Sequence, residues 1–299
     1  MHNTLIVLLG PTGVGKTDLS VDIALHFGSD IISCDSRQFY REMAIGTSVP
    51  PESILLKIKH HFIGSLSVND YYSASLFEKD VLKLLPELFL RNRLAIMTGG
   101  SGMYIDAVCS GIDDIPDTDP AIREKYIAMH SKDGIEGLRS ALKILDPEHY
   151  SKVDLRNYKR IIRALEICET TGLPYSSFMK KQKSIRDFRI IKIGLERERD
   201  DLYSRINSRV DIMIGMGLEK EARSLYSLRH LNALNTVGYK ELFEYFDGNI
   251  TYEKAVELIR RDTRRYAKRQ MTWWAKDKEI IWFNPDNQEE IIGFIERLK

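Results

Sequence analysis

The chain has 299 residues, with 43% hydrophobic and 29% charged residues and a formal net charge of +1, which is ordinary for a soluble protein of one large or two smaller domains. No apolar run approaches the roughly 18 residues of a membrane span, and the start, MHNTLIVLLG, lacks a basic leader and cleavage site, so membrane and secreted classes are not expected. Three cysteines without metal-ligand spacing, Cys34, Cys109 and Cys168, indicate a reduced cytoplasm.

The first predicted elements are a strand, a glycine-rich loop and a helix. An uncharged apolar run at 4–9 predicts a buried parallel strand, and apolar spacing in 16–27 predicts a helix that Gly28 ends. The loop between them, which we call the P-loop, fits G-x-x-x-x-G-K-[ST] at every fixed position; it comprises Gly10, Pro11, Thr12, Gly13, Val14, Gly15, Lys16 and Thr17.

The P-loop predicts a phosphate site. Its amides and the following helix N-terminus favour an anion, Lys16 would neutralise phosphate oxygens, and the Thr17 hydroxyl would coordinate Mg²⁺. Such loops usually bind ATP or GTP. Because backbone amides recognise only the phosphates, another diphosphate is an equally open ligand at this point. A glycine-rich turn without a ligand is the weaker alternative.

Later apolar runs complete a sheet. Strands are predicted within 30–36, 94–100, 188–197 and 279–284, and 73–93 predicts a helix with a kink at Pro86. Strands joined by helical crossovers favour an α/β fold with a doubly wound parallel sheet, whose ligands bind at the carboxyl ends of the strands. The P-loop, Asp35-Ser36 and residues 98–102 all fall at those ends. Cys34, beside Asp35, is interpreted as a buried strand-end thiol rather than a nucleophile.

Residues 114–187 contain almost no strand signal, and Asp119-Pro120 predicts a helix start. We therefore expect this segment to be a helical insertion domain in a core formed by 1–113 and 188–299. Helical spacing within it places Arg156, Arg160 and Arg163 on one face, with Ile161 and Ile162 pointing elsewhere.

A second basic stretch, residues 260–278, has eight Lys or Arg against two Asp, with Tyr266, Trp273 and Trp274 interleaved. A solvated helix face with two core tryptophans is the plain interpretation of this stretch alone. Two such stretches beside a phosphate site instead favour contact with a nucleic-acid backbone.

Eight motifs in order resemble the tRNA dimethylallyltransferases (tRNA isopentenyltransferases), and the resemblance covers essentially the whole chain. They are GPTGVGKT, DSRQFY (35–40), GGSGMY (99–104), DPAIR (119–123), RIIRALE (160–166), RINSRVDIMIGMGLEKE (205–221), NTVGYKE (235–241) and YAKRQMTWW (266–274). The resemblance implies a P-loop-type fold and transfer of a dimethylallyl group from its diphosphate to the 6-amino group of adenosine at tRNA position 37. A zinc module of the kind appended to some eukaryotic members is not evident in the sequence, so the bacterial form fits better.

The resemblance also implies roles for individual residues. Asp35 would take the proton from the amine, and Lys16 with a Thr17-bound Mg²⁺ would assist departure of the diphosphate. Ser101, where the family usually has threonine, would contact substrate as a further catalytic residue. The implied tRNA contacts are Asp35, Ser36, Arg37, Gln38, Ser101, Arg123, Lys159, Arg160, Ile161, Ile162, Arg163, Lys268, Arg269 and Gln270.

Two alternatives share the P-loop and the sheet. A small-molecule or nucleotide kinase leaves the basic helices without a role, and a non-catalytic nucleic-acid-binding P-loop protein leaves Asp35 without one. The partners expected are therefore the tRNA anticodon stem-loop and dimethylallyl diphosphate, with no membrane. The insertion domain would hold the anticodon arm while the target base is flipped into the crevice. The protein is expected to be cytoplasmic and monomeric.

Overall fold

The computed structural model describes residues 2–113, 115–116, 118–179 and 184–298. The chain divides into two compact units: unit 1 is Met1–Ser110 with Ile185–Lys299, and unit 2 is Gly111–Ser184. The predicted domain limits, 114 and 187, lie close to these boundaries. The anticodon-arm contact predicted for the inserted segment stays a prediction.

Unit 1 is built on a parallel sheet, as predicted. Its strand order is β3-β2-β4-β1-β5-β6, and each neighbouring pair is parallel. The strands are β1 (Thr4–Leu9), β2 (Ile31–Ser33), β3 (His60–His61), β4 (Leu94–Gly99), β5 (Arg189–Leu195) and β6 (Ile280–Phe283). The order reverses at β1, so the doubly wound prediction is confirmed. The sequence did not predict β3, because two residues are too short to form a pattern.

Helices cover both faces of the sheet, and a last helix follows β6 in the chain. In unit 1 they are α1 (Lys16–Phe27), α2 (Glu52–Leu55), α3 (Ala74–Arg91), α4 (Gly102–Ser110), α8 (Arg199–Gly215), α9 (Leu218–Ser224), α10 (Tyr239–Phe246), α11 (Tyr252–Trp274) and α12 (Gln288–Glu296), with short 3-10 turns at Tyr226–Leu228 and Asn232–Leu234. Pro86 lies inside α3.

Strand β1 supplies apolar side chains to both faces of the sheet because successive residues point to opposite sides. Ile6 and Leu8 pack with Ile23 of α1 and with residues of α8 and α12. Leu5 and Val7, together with Leu9, pack against α3 and α4 on the other face. A third cluster joins α9, α10 and α11 around the buried Tyr239. Packing on both faces therefore fixes β1, and the P-loop follows the end of this strand.

Unit 2 is helical and has its own core. Its helices are α5 (Pro120–Leu145), α6 (Pro147–Tyr150) and α7 (Tyr158–Thr171), followed by a 3-10 turn at Tyr175–Phe178. The predicted start of α5 is confirmed, since the Asp119 carboxylate accepts a hydrogen bond from the Ala121 amide at 2.9 Å. Leu138 and Leu142 of α5 pack against the first turns of α7.

The structure corrects one detail of the first basic stretch and constrains another. Arg156 precedes α7, whose N-cap is Asn157, so Arg156 does not share the helical face predicted for it. Ile161 and Ile162 are 0% and 2% exposed and belong to the core of unit 2. Their side chains do not present a surface to RNA, so a tRNA contact at these two positions, which stays a prediction, would have to involve the backbone.

Across the described residues, no helix is both long and apolar enough to cross a membrane.

Candidate active site

The P-loop connects β1 to α1 through backbone conformations that favour glycine. Gly13 and Gly15 have φ values of +83° and +111°. A side chain at Gly13 would also meet Ile206 of α8 at 2.9 Å. Helix α1 starts directly after Gly15, so its unpaired first-turn amides and its positive dipole end lie at the loop. This geometry is that of an anion site.

Lys16 folds back onto the P-loop. Its Nζ donates to the carbonyl oxygens of Gly10 and Pro11, both at 2.8 Å. Burial and the nearby Arg209 guanidinium lower the pKa of Lys16 to about 7, against the opposing effect of Asp35. Burial also lowers the pKa of Arg209, again opposed by Asp35. Because the positive charges of Lys16 and Arg209 lie close together and repel each other, an anion bound between them would stabilise both.

Three arginines around the P-loop were not assigned roles from the sequence. Arg197 donates to the Val14 carbonyl at 2.9 Å and pairs with Asp201 and Asp286. Arg205 Nε donates to the Gly13 carbonyl at 3.0 Å. Arg209 bonds Ser48 Oγ at 2.7 Å and Thr12 Oγ1 at 3.3 Å. The signal that could have found two of them is the four-residue spacing of Arg205 and Arg209, which places both on one face of α8.

Asp35 follows β2 and lines the same cavity as Lys16 and Thr17. One of its carboxylate oxygens accepts a hydrogen bond from the Arg37 amide at 3.0 Å. Next to it, the Ser36 amide donates to Ser101 Oγ at 2.9 Å, and Ser101 is only 8% exposed. The structure therefore brings Asp35, Lys16 and Thr17 together, with Ser101 supporting the Asp35 segment.

Tyr266 of α11 also lines this cavity. Burial and the charge of Asp35 raise the pKa of its phenol to about 12, opposed by a hydrogen bond with Ser101. The tyrosine therefore stays neutral near pH 7 and keeps a hydroxyl hydrogen to donate.

Gln38 lines the cavity and also has partners within the protein. Its Oε1 accepts from Ser33 Oγ at 3.0 Å, and its Nε2 donates to the carbonyls of Thr47 and Ser48, both at 3.1 Å. Both amide hydrogens are used within the protein, so an adenine edge would have to compete with these bonds, and the RNA contact of Gln38 stays a prediction. Gln38 holds the loop that covers the site.

Gln270 of α11 is likewise a connector. It is 6% exposed, accepts from the Thr12 amide at 2.9 Å and donates to the Gly100 carbonyl at 2.7 Å. Its side chain therefore links the P-loop to the end of β4; Gln270 also lines the cavity, and its tRNA contact stays a prediction. Lys268 and Arg269 are exposed on the same helix, where the tRNA contact stays a prediction.

The cavity has a volume of about 760 Å³, which suits a small diphosphate with one reacting group. Its polar side carries Lys16, Thr17, Asp35 and Arg209. Apolar side chains complete the lining at Pro50, Ile63, Val210, Met213, Val237 and Ile259. A polyanion and a short apolar chain could therefore bind side by side. Ser36 and Arg37 also line this cavity.

The remaining predicted tRNA residues lie in unit 2. Glu166 is fully buried and pairs with Arg123 at 3.0 Å and Arg163 at 3.4 Å. Those two arginines therefore neutralise a buried carboxylate, a structural role that the sequence did not predict. Lys159 and Arg160 are exposed. They remain the stronger candidates for phosphate contacts.

Cys34 is fully buried, and burial raises the pKa of its thiol well above the usual range. A neutral buried thiol is a poor nucleophile, which agrees with the structural interpretation. In the part of the chain that the structure describes, no group of three or more His, Cys, Asp or Glu could hold a metal ion. A cation that binds chiefly through substrate phosphates does not need such a group.

Comparison with known proteins identifies the family. The family model described as "IPP transferase" matches residues 38–277. A tRNA dimethylallyltransferase of Porphyromonas gingivalis is 57% identical over 284 residues, 95% of each chain, and one of Parabacteroides distasonis is 55% identical over 289 residues, 97% of each. The crystal structure of a tRNA isopentenylpyrophosphate transferase from Bacillus halodurans has a TM-score of 0.71 and 36% identity, covering 99% of this chain and 96% of that one.

The chain belongs to the tRNA dimethylallyltransferase family. It is a prenyl-transferring enzyme with the P-loop fold of that family, and the kinase and non-catalytic alternatives are excluded. In this member of the dimethylallyltransferase family, the P-loop and several apolar side chains line the same cavity.

Proposed function

We propose that the protein transfers a dimethylallyl group from dimethylallyl diphosphate to N6 of the adenosine at tRNA position 37, giving N6-isopentenyladenosine and diphosphate. The observation that carries this proposal is the composition of one cavity. The cations Lys16 and Arg209, the carboxylate Asp35 and several apolar side chains line one cavity of about 760 Å³. The family membership described above supports the same reaction.

The donor diphosphate would bind at the P-loop. The amides at the start of α1 would bind its oxygens, and Lys16 would exchange its two carbonyl acceptors for phosphate oxygens. Arg209, already directed at Thr12 of the loop, would add a second cation. The Thr17 hydroxyl would hold Mg²⁺, and the bound ion would neutralise charge on the diphosphate.

The chemical step breaks one bond and forms another. The lone pair of adenosine N6 forms a bond to C1 of the dimethylallyl group, while the C1–O bond breaks and its electron pair leaves with the diphosphate. Asp35 would accept the proton that N6 loses, because its charge acts on both Lys16 and Arg209, whereas Asp18, which also lines the cavity, is exposed on α1. Lys16 and Arg209 would stabilise the charge that develops on the leaving group.

The acceptor base would have to leave the anticodon-loop stack to reach Asp35. The exposed cations Lys268 and Arg269 on α11, and Lys159 and Arg160 on α7, would bind RNA phosphates. These contacts would position the RNA without reading its sequence.

The test is a complete reaction with tRNA, dimethylallyl diphosphate and Mg²⁺, followed by mass spectrometry of nucleosides and a pyrophosphate assay. We expect N6-isopentenyladenosine at position 37 and one diphosphate released for each modified tRNA. ATP should neither replace the donor nor be cleaved. Stoichiometric ATP cleavage, or prenylation at another position, would contradict the proposal.

A further inference from the structure

The loop at residues 43–48, which we call the cover loop, forms part of the cavity wall through Gly46, Thr47 and Ser48. It belongs to no helix or strand. Ser48 has a φ of +51°, a left-handed conformation that residues other than glycine rarely adopt. Such a conformation persists only where surrounding contacts fix it. The contacts that fix the cover loop therefore bear on the shape of the site.

Glu221 of α9 supplies the main attachment. Its Oε2 accepts from the Ile45 amide and its Oε1 from the Gly46 amide, both at 2.8 Å. Tyr239 donates its hydroxyl to the same Oε1 at 2.6 Å. One carboxylate thus accepts three hydrogen bonds, two of them from the backbone of the cover loop, across 175 residues of sequence.

Tyr239 fixes the loop by shape as well. The residue is fully buried, and a side chain at Gly46 would meet its ring at 2.5 Å. Burial and the adjacent Glu221 carboxylate raise the pKa of Tyr239 far above its ordinary value, so its hydroxyl remains a donor. Gly46 is therefore pressed against a rigid ring while its amide is held by Glu221.

The cover loop also contacts Arg209, which bonds to the P-loop. Ser48 Oγ accepts from Arg209 Nε at 2.7 Å, and Arg209 in turn reaches Thr12 of the P-loop. The carbonyls of Thr47 and Ser48 anchor Gln38. A carboxylate on α9 is thereby linked through the cover loop to a guanidinium that faces the P-loop.

We propose that Glu221, assisted by Tyr239, is a positioning residue that holds the cover loop so that Arg209 is directed at the donor diphosphate. This inference rests on the proposed function, since it takes the P-loop as the diphosphate site. Glu221 does not line the cavity and so acts through Ser48 and Arg209. It gives a role to Glu221 and Tyr239, which lie in the motifs at 205–221 and 235–241 and do not take part in the proposed chemical step.

The test measures the affinity for inorganic pyrophosphate by calorimetry in Mg²⁺ buffer for four proteins: the unchanged chain, Glu221→Gln, Arg209→Gln and the double variant. A glutamine at 221 keeps the size but turns one acceptor into a donor that faces a backbone N–H. We expect each single change to weaken binding on the order of tenfold, and the double variant to bind no more weakly than Arg209→Gln alone, because coupled residues are not additive.

Two further variants separate positioning from folding. Tyr239→Phe keeps the ring and removes one hydrogen bond, so it should weaken pyrophosphate binding less than Glu221→Gln and raise KM for the donor more than it lowers kcat. Glu219→Gln, which removes an ion pair with Arg223 on the same helix, should bind like the unchanged chain.

Two results would overturn the inference. One is unchanged pyrophosphate affinity in Glu221→Gln with a lower melting temperature, which would make the residue merely structural. The other is a double variant whose loss of pyrophosphate affinity equals the product of the losses in the two single variants. If the unchanged chain itself fails to bind pyrophosphate, the proposed function fails instead, and the two failures are distinguished.

Discussion

At the scale of single residues, the proposed mechanism assigns proton transfer and charge neutralisation to different side chains. Asp35 is a carboxylate whose charge acts on both cations, while Lys16 and Arg209 bond to the P-loop. Among the described residues, no ion pair joins Asp35 to Lys16 or to Arg209. Asp35 therefore keeps oxygen lone pairs available for an incoming proton, since its described bond, from the Arg37 amide, occupies one oxygen.

Replacing Asp35 by Asn tests its role as the proton acceptor. The amide oxygen can still accept from the Arg37 amide, so the local turn should persist. We expect turnover to fall about 10²–10⁴-fold, the usual effect of losing a general base, with little change in tRNA affinity. Single-turnover kinetics and a tRNA binding assay measure both. Asp22→Asn, an exposed carboxylate on α1, is the control. Near-normal turnover of Asp35→Asn would remove this residue from the mechanism.

Lys16→Ala tests whether the P-loop holds the donor. The variant loses a cation that lies beside the first turn of α1, and prenyl transfer should fall to background. In the unchanged enzyme, inorganic pyrophosphate should compete with dimethylallyl diphosphate, and Lys16→Ala should no longer bind pyrophosphate. Steady-state inhibition and calorimetry provide the measurements. Lys57→Ala, at an exposed lysine, should behave like the unchanged enzyme. Mixed or absent inhibition in the unchanged enzyme would separate the donor site from the P-loop.

At the scale of elements, the sequence predicted the parts with strong local patterns. The strand–loop–helix unit around the P-loop combines an apolar run, fixed glycines and helical spacing, and each signal lies within a few residues of the next. Strand β3 has two residues and no such signal. The internal partners of Gln38 and Gln270 were not predicted, because folding brings these groups together; Gln270 and Thr12 are 258 residues apart.

In helix α7, helical periodicity and the family motif gave different expectations for Ile161 and Ile162. Helical periodicity already placed Ile161 and Ile162 away from the basic face, and the structure buries both. Their assignment as tRNA contacts came from the family motif, which does not distinguish side chains that touch a ligand from those that support the helix. Periodicity was the better guide here because it reports burial directly.

The arginines of α7 should now behave differently from one another. Arg160 is exposed, so Arg160→Gln should weaken tRNA binding and reduce the magnitude of the log K versus log salt slope by about 1. Arg163 bonds Thr118 and the buried Glu166, so Arg163→Gln should lower the melting temperature. Salt-dependent binding and thermal unfolding measure the two effects. An Arg160→Gln protein with unchanged tRNA affinity would leave α7 a structural helix.

Gly100→Ala tests the link between α11 and the P-loop. A Cβ at this position would lie 2.3 Å from Gln270 Nε2, so the amide must move away from the Gly100 carbonyl and the Thr12 amide. Because both buried groups would lose their partner, we expect pyrophosphate affinity to fall on the order of tenfold. Gly215→Ala, where a Cβ meets open space, is the matched control and should bind normally. Normal affinity in Gly100→Ala would mean that the P-loop keeps its shape without Gln270.

At the scale of the whole molecule, the chain forms two units with separate cores, and the cavity belongs to unit 1. Unit 1 contains the sheet, the P-loop and the complete lining of the cavity. Unit 2 has its own apolar cluster of α5 and α7 side chains. Since every residue that lines the cavity belongs to unit 1, donor binding should depend on unit 1 alone.

Removing unit 2 tests this division directly. Arg186 donates to the carbonyls of Val108 and Ala107 at 2.8 Å, so the two ends of unit 1 lie side by side and a short Gly/Ser linker can replace residues 111–184. The shortened protein should fold cooperatively and bind pyrophosphate like the full chain, as measured by thermal unfolding and calorimetry. It should lose most tRNA affinity and all tRNA modification, because the cations of α7 would be absent. A shortened protein that still binds tRNA as tightly as the full chain would assign tRNA binding to α11 and the rest of unit 1. If it folds but fails to bind pyrophosphate, the donor site requires unit 2.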